Sequence, residues 1–274
     1  MEVVLPGAVF SSAERAKPVL IGSLFYRGDS CVVNHGKGIF NKGMVKALLE
    51  NVRDLKERAG VSHAVEIVAE TPQAIESYLE FMADRVEEPL LIGGVTEHAR
   101  IAGYRKAAEL GIQNRCIANS LSRRTSKKEL EELQDCRIAA AVVQLNGEAF
   151  KVEEKLHSFD VARKRISQSY SGGLLADVGV IDLSTIPVAV KIIKVLKRRG
   201  IPVGCSPANV AYQLYGKGLL ELEEARALNS ALTAILQLAG ASFIMYGPLK
   251  AAEYIFALAK FMEILRMRMG EWSL

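Results

Sequence analysis

Cysteine is scarce in this 274-residue chain, and the four present, Cys31, Cys116, Cys136 and Cys205, never form a Cys-x-x-Cys pair. That spacing gives no zinc knuckle and no disulfide framework, so reduced thiols are expected. Aromatic residues make up only 7%, too few for an aromatic-rich β sandwich. No apolar run reaches the ~20 residues needed to span a bilayer. The opening MEVVLPGAVFSSAERAKP lacks a basic n-region, an h-region and a cleavage site, so a cytoplasmic protein without membrane insertion is expected. No Gly-x-Gly-x-x-Gly turn follows the first apolar run, which argues against a dinucleotide site. Charge of one sign is also missing: the net value is +4, with Lys and Arg interspersed among Glu. That balance is a weak basis for nucleic-acid binding and fits an anionic small molecule or an acidic protein better.

What is present is a regular alternation. Short apolar runs rich in β-branched residues occur at Val19–Tyr26, His63–Glu70, Pro89–Gly94, Arg115–Leu121, Ile138–Leu145, Gly173–Val180, Ile201–Ala208 and Phe243–Pro248. Segments with helical periodicity separate them, among them KGMVKALLENVRDLKERAG, TPQAIESYLEFMADR, IPVAVKIIKVLKRRG and KAAEYIFALAKFMEILRMRM. Local signals agree. Thr71 precedes Pro72 at a helix start, Ser126 stands before KKELEEL as an N-cap, and Gly60, Gly111 and Gly200 follow helices as left-handed caps. Strict alternation predicts a parallel sheet covered by helices, and this many units in one chain predicts a single (β/α)8 TIM barrel over residues 1–274. Residues 1–18 precede the first strand and are expected to cover the barrel bottom.

In such a barrel the site lies where the strands end. The polar or glycine residues falling there are Tyr26, Glu70, Gly93 with Gly94, Asn119 with Ser120, Gln144 with Asn146, Asp177, Cys205 to Asn209, and Tyr246. Amides with one or two carboxylates, and no apparent His or Cys triad, suit a flat heterocycle that presents many donors and acceptors.

At these residues the chain resembles a family. GSLFY, GKGIFNKGMVKALLENVRDLKERAG, TPQAIESYLEFMA, EHARIAGYRKAAELGIQNRCIANS, LLADVGVIDLS, GIPVGCSPANVAYQL and FIMYGPLKAAEYIF, in order and over nearly the whole chain, are similar to the MtrH family of tetrahydromethanopterin S-methyltransferase subunits. The wider group is the pterin-binding barrels, with corrinoid methyltransferases and dihydropteroate synthases. The resemblance implies an archaeal-type methyltransferase of one-carbon metabolism. It would move a methyl group from N5 of a tetrahydromethanopterin or tetrahydrofolate derivative to the cobalt of a cobalamin-type corrinoid carried by a partner protein. It also implies that Asn119 and Asp177 hold the pterin ring and that Asn209 lies near N5, with Asp177 and Asn209 the catalytic pair. Glu70, Gly93, Gly94 and Gln144 complete the expected pterin surroundings.

One departure stands out. The family has an Asp at the third strand end that pairs with the guanidine-like edge of the pterin, and this chain has Gly93 there. Three outcomes follow: Glu70 or Glu97 supplies the charge from nearby, the site takes a different ligand, or pterin affinity is lost. A non-catalytic, repurposed barrel subunit is therefore one alternative. A dihydropteroate-synthase-like enzyme is another, for which Lys250 is present without an obvious Arg nearby. Plainer readings also fit single residues: Asn119 and Asp177 as turn formers, Cys205 as a buried thiol, His98 as a surface residue. The Met- and Phe-rich final helix leaves a homodimer open.

Overall fold

The computed structural model describes residues 2–145 and 151–271. An antiparallel hairpin, β1 (Glu2–Leu5) and β2 (Ala8–Ser11), precedes β3 (Val19–Leu24). A second hairpin, β4 (Val32–Asn34) and β5 (Ile39–Phe40), occupies the next loop. Strand and helix then alternate: α1 (Lys42–Ala59), β6 (Ser62–Ala69), α2 (Pro72–Met82), β7 (Leu90–Gly94), α3 (Glu97–Glu109), β8 (Cys116–Leu121) and α4 (Lys127–Asp135). They continue with β9 (Ala140–Gln144), α5 (Val152–Ile166), β10 (Gly173–Asp177), α6 (Ile186–Arg198) and β11 (Val203–Cys205). Two helices, α7 (Pro207–Gly216) and α8 (Leu222–Leu238), follow β11, and β12 (Phe243–Pro248) and α9 (Ala252–Glu271) end the described chain.

The parallel strands close into a barrel in the order β10-β11-β12-β3-β6-β7-β8-β9, with β12 pairing β3 through Phe243–Val19 and Met245–Ile21. Every barrel strand coincides with one of the apolar runs, β6 beginning one residue earlier at Ser62, and this is a TIM barrel. The runs overestimate strand length most at Ile201–Ala208, where only Val203–Cys205 is strand. Pro202 has no N–H for the ladder and Pro207 opens α7, so both ends are trimmed by proline. The two hairpins carry too few residues for a period to show.

Two apolar layers hold the barrel. Between strands and helices lies a large cluster that includes Leu20, Ile67, Ile92, Tyr104 and Phe256. Inside the barrel, Val19, Ile21, Ala64, Leu91, Ile117 and Leu175 form a separate cluster with Val3, Leu5, Ala8 and Phe10 of the N-terminal hairpin. A Cβ on Gly173, the first residue of β10, would sit 2.7 Å from Val3 Cγ1, so the hairpin meets the barrel at the N-terminal ends of its strands. Among the described residues no helix is long and apolar enough to cross a membrane.

Candidate functional site

Side chains alternate along a strand, so the residue two positions beyond an inward apolar side chain also faces inward. Ile21 is followed in this way by Ser23, Ala64 by Glu66, Leu91 by Gly93, Ile117 by Asn119, Val142 by Gln144, and Leu175 by Asp177. A polar ring therefore sits directly above the apolar filling, at the C-terminal mouth. Ser23, Glu66 and Asn119 are partly exposed there, Gln144 is exposed, and Asp177 is buried.

The ring is internally bonded. Asn119 Nδ2 donates to Glu66 Oε1 at 2.6 Å, and Ser23 Oγ donates to Glu66 Oε2. One carboxylate thus links β3, β6 and β8. Burial pushes the Glu66 carboxyl above the usual carboxylate range, against the hydrogen bonds from Ser23 and Asn119. Asp177 Oδ1 accepts from Gly179 N at 3.0 Å. Burial raises its pKa to about 6; the Gly179 N–H and the Lys155 charge oppose that rise, and the Glu66 charge adds to it. Lys155 reaches this point from α5, where its Nζ donates to the carbonyls of Val178 and Gly179 at 2.8 Å each and holds the turn after β10.

The two glycines ending β7 have different reasons. A Cβ on Gly94 would lie 2.8 Å from Arg100 N and 2.7 Å from Arg100 Cγ, so only glycine lets α3 approach this closely. Arg100 donates from Nη1 to the Gly94 carbonyl at 3.0 Å, and from Nε and Nη2 to Glu129 at 2.6 and 2.8 Å. A Cβ on Gly93 would instead lie 3.1 Å from Glu66 Oε1. The carboxylate facing Gly93 is that of Glu66.

The remaining candidates spread over the mouth. Glu70 lies one residue beyond β6, partly exposed, with Oε1 3.9 Å from Arg27 Nε, while Glu66 on the same strand is the carboxylate next to Gly93. Glu97 is in the first turn of α3 and His98 is exposed beside it. Asn209, in the first turn of α7, is exposed, with Oδ1 3.2 Å from Ser206 Oγ. It lines a cavity of about 660 Å³ together with Ser23, Tyr26, Tyr212, Gly247 and Lys250. Arg27 and Arg226 line the same cavity as Lys250. Asn119, Gln144 and Asp177 are outside that wall, and the Ser23–Glu66–Asn119 bonds connect it to Asn119. Tyr246 does not face the mouth: its hydroxyl is 3.0 Å from His63 Nε2, in the layer behind the strands, where burial lowers the His63 pKa to about 4. Cys205 is wholly buried in that layer too, and burial drives its thiol pKa well above the ordinary value. Asn146 lies outside the described residues.

Glu66 and Lys155 were not among the sequence candidates, yet each leaves a trace. Glu66 is a carboxylate in mid-strand, in HAVEIVAE, where both faces of a barrel strand are normally apolar. Lys155 shares a helical stripe with Val152, Leu156 and Phe159, which is a buried face.

The family described as tetrahydromethanopterin S-methyltransferase MtrH subunit matches residues 11–271. The corresponding tetrahydromethanopterin S-methyltransferase subunit from Methanothermobacter marburgensis is 32% identical over 256 residues, covering 87% of this chain and 81% of the relative. Its counterpart from Methanothermobacter thermautotrophicus is 31% identical over 258 residues, with the same 87% and 81% coverage. Among solved structures, the dihydropteroate synthase of Yersinia pestis in a sulfonamide complex matches with a TM-score of 0.72 over 98% of this chain and 100% of that one. At 14% identity this is a likeness of fold. The match along almost the entire length, carried by relatives above 30% identity, makes this chain a member of the tetrahydromethanopterin S-methyltransferase MtrH family.

Proposed function

We propose that this chain binds a methyl-tetrahydropterin at the C-terminal mouth of its barrel and passes the N5 methyl group to the cobalt of a corrinoid carried by a partner protein. The observation that carries the reading is the polar ring above the apolar filling, with Asn119 and the Asp177 carboxylate facing inward and Asn209 lining the adjoining cavity. A reduced pterin presents adjacent N–H donors on its pyrimidine edge, and inward carboxylates and amide oxygens are the matching acceptors. The basic wall of Arg27, Arg226 and Lys250 suits an anionic tail on the same substrate.

The chemistry sets what each residue must do. As the methyl carbon leaves N5, the electron pair of the C–N bond stays on nitrogen, while the reduced cobalt supplies the pair for the new Co–C bond. A tertiary amine is a poor leaving group unless positive character builds at N5 and a proton arrives there, so groups near N5 must interact more strongly in the transition state than before it. Asn209 offers an amide donor and acceptor on one side chain and can serve N5 in either state. Asp177 and Asn119 fix the ring so that the methyl points out of the open mouth, where a macromolecular acceptor can reach it.

Calorimetric titration with methyl-tetrahydromethanopterin and methyl-tetrahydrofolate tests the reading, followed by cob(I)alamin methylation. Wild type is expected to bind one of the two in the micromolar range and Asp177→Ala to lose that binding. Asn209→Ala should weaken binding and slow methyl transfer about 100-fold, the scale for removing one donor to developing charge. A folded wild-type protein that binds neither pterin would sink the proposal.

A further inference from the structure

An outer helix of a barrel normally turns its apolar side chains inward and its charged ones to solvent. Over the last three turns of α8 that order is reversed. Arg226 is the last charged residue before Lys250, so residues 227–238 carry no charge. The polar side chains there point inward: Asn229, Thr233 and Gln237, spaced four apart, are at most 1% exposed, and Ser230 is partly buried. The outward positions are Ala227, Ala231, Ile235 and Leu238, the last two 44% and 49% exposed.

The neighbouring helix continues this surface. Gln237 Nε2 donates to Ala259 O and to Glu263 Oε1 at 3.2 Å each, so α8 and α9 lie side by side. On α9 the exposed stripe is Ala257, Phe261, Ile264 and Leu265, with Phe261 62% and Leu265 53% exposed. Five large side chains about half exposed and three alanines amount to roughly 500 Å² of apolar surface, the size at which an exposed patch marks an interaction site. A standard interface takes about 800 Å² from each partner, so the patch supplies more than half of one and its charged ends can supply the rest.

The patch has a direction, and the direction identifies its partner. Both helices start beside the mouth cavity, which Arg226 and Tyr254 line, and run toward a smaller cavity beside Pro18, which Gln237 and Ile264 line. Along that path the side chains change from small to large: Ala227, Ala231 and Ala257 come first, then Ile235, Leu238, Ile264 and Leu265. The charge on α9 changes as well, with Glu253 in its first turn and Arg268 in its last. A second copy turned end for end sets small against large and acid against base at both ends, which is the self-complementarity that a two-fold contact needs. Phe261, the most exposed member and about midway between Glu253 and Arg268, falls at the centre.

We propose that the α8–α9 face is the contact between two copies of this chain, packed antiparallel about a two-fold axis that passes close to Phe261. The inverted pattern of α8 then has a cause: its outer apolar positions are covered in the dimer. The contact lies on the outer wall of the barrel, leaves both mouths open, and holds whatever ligand the mouth takes.

Sedimentation velocity of the full chain across the micromolar range tests this. Wild type is expected at twice the chain mass. Ala231→Arg and Phe261→Arg, both at exposed positions, should sediment as monomers with an unchanged far-UV circular dichroism spectrum, their dimerisation weakened about 100-fold or more, the scale of placing an unpaired charge at the centre of an interface. Val161→Arg, at an exposed apolar position on α5, should remain dimeric. Glu253→Arg and Arg268→Glu should each weaken dimerisation several-fold, and an equimolar mixture of the two should recover it, because opposite charges face each other again at both rims. A wild type that stays monomeric would overturn the proposal and leave the patch to a different subunit; a dimer that Phe261→Arg leaves intact would overturn it by placing the contact elsewhere. A mixture that associates no more tightly than its components would overturn the antiparallel pairing.

Discussion

Asp177 is 6% exposed, yet its carboxyl has only one protein hydrogen bond, from Gly179 N, and no ion pair among the described residues. Burial raises its pKa from 3.8 to about 6, and of the charges around it Lys155 lowers and Glu66 raises that value. The native protein therefore keeps a proton that the unfolded chain has already released, and stability must fall as pH rises through that window and level off above it. A displacement of this size corresponds to about 3 kcal/mol in the free protein. Asp177→Asn retains an oxygen for Gly179 N and cannot ionise. Its stability relative to wild type should rise by a few kcal/mol between pH 4 and pH 7, read from urea midpoints at unit steps of pH; parallel curves would refute the buried charge. The position was legible as the polar end of LLADVGV. Its electrostatic partners were not, because Glu66 and Lys155 are distant in sequence and meet it only once the barrel closes.

Among the elements, α3 and α4 show how helices outside the barrel fix a strand end inside it. Glu129 on α4 is fully buried, accepts two bonds from Arg100 and a third from the Tyr104 hydroxyl at 3.1 Å, and through Arg100 reaches the Gly94 carbonyl. A buried pair of this kind contributes little over a well-packed apolar pair, but breaking one side strands the other charge. Glu129→Gln is expected to cost about 3 kcal/mol in equilibrium urea unfolding, and Arg100→Met/Glu129→Leu less than that single change. Equal losses in the two proteins would mean that the pair itself carries the stability. The helices were well marked in the sequence: Thr71 caps α2 by accepting from Ala74 N, Ser126 caps α4 by accepting from Glu129 N, and Gly60, Gly111 and Gly200 have φ of 65°, 70° and 75°. Each is a short-range signal. Arg100–Glu129 spans two helices and could not be read that way, nor could the reach of Glu66, which depends on strand parity and on the register of β6 against β7.

Across the whole molecule, the N-terminal hairpin and the polar ring occupy opposite ends of one barrel. The alternation of strands and helices announced the fold, because each unit buries one face against the next. The N-terminal hairpin was visible only as a segment before the first strand. Phe10, on the second strand of that hairpin, is fully buried, packed edge-on to Phe243 with ring centroids 6.2 Å apart, and shares the inner cluster with Ile21, Leu91 and Leu175. Above these side chains comes the polar ring, so a defect at Phe10 is separated from the mouth by a packed apolar layer. Phe10→Ala should therefore lower unfolding free energy by about 3–5 kcal/mol, the range for truncating a buried phenylalanine. Pterin affinity, measured well below the unfolding transition, should stay within about twofold of wild type, because none of the ring residues changes its neighbours and distant sites are close to additive. A fall in affinity in a protein that remains folded would mean that the apolar filling transmits its packing to the mouth, and that the two ends of this barrel are mechanically one.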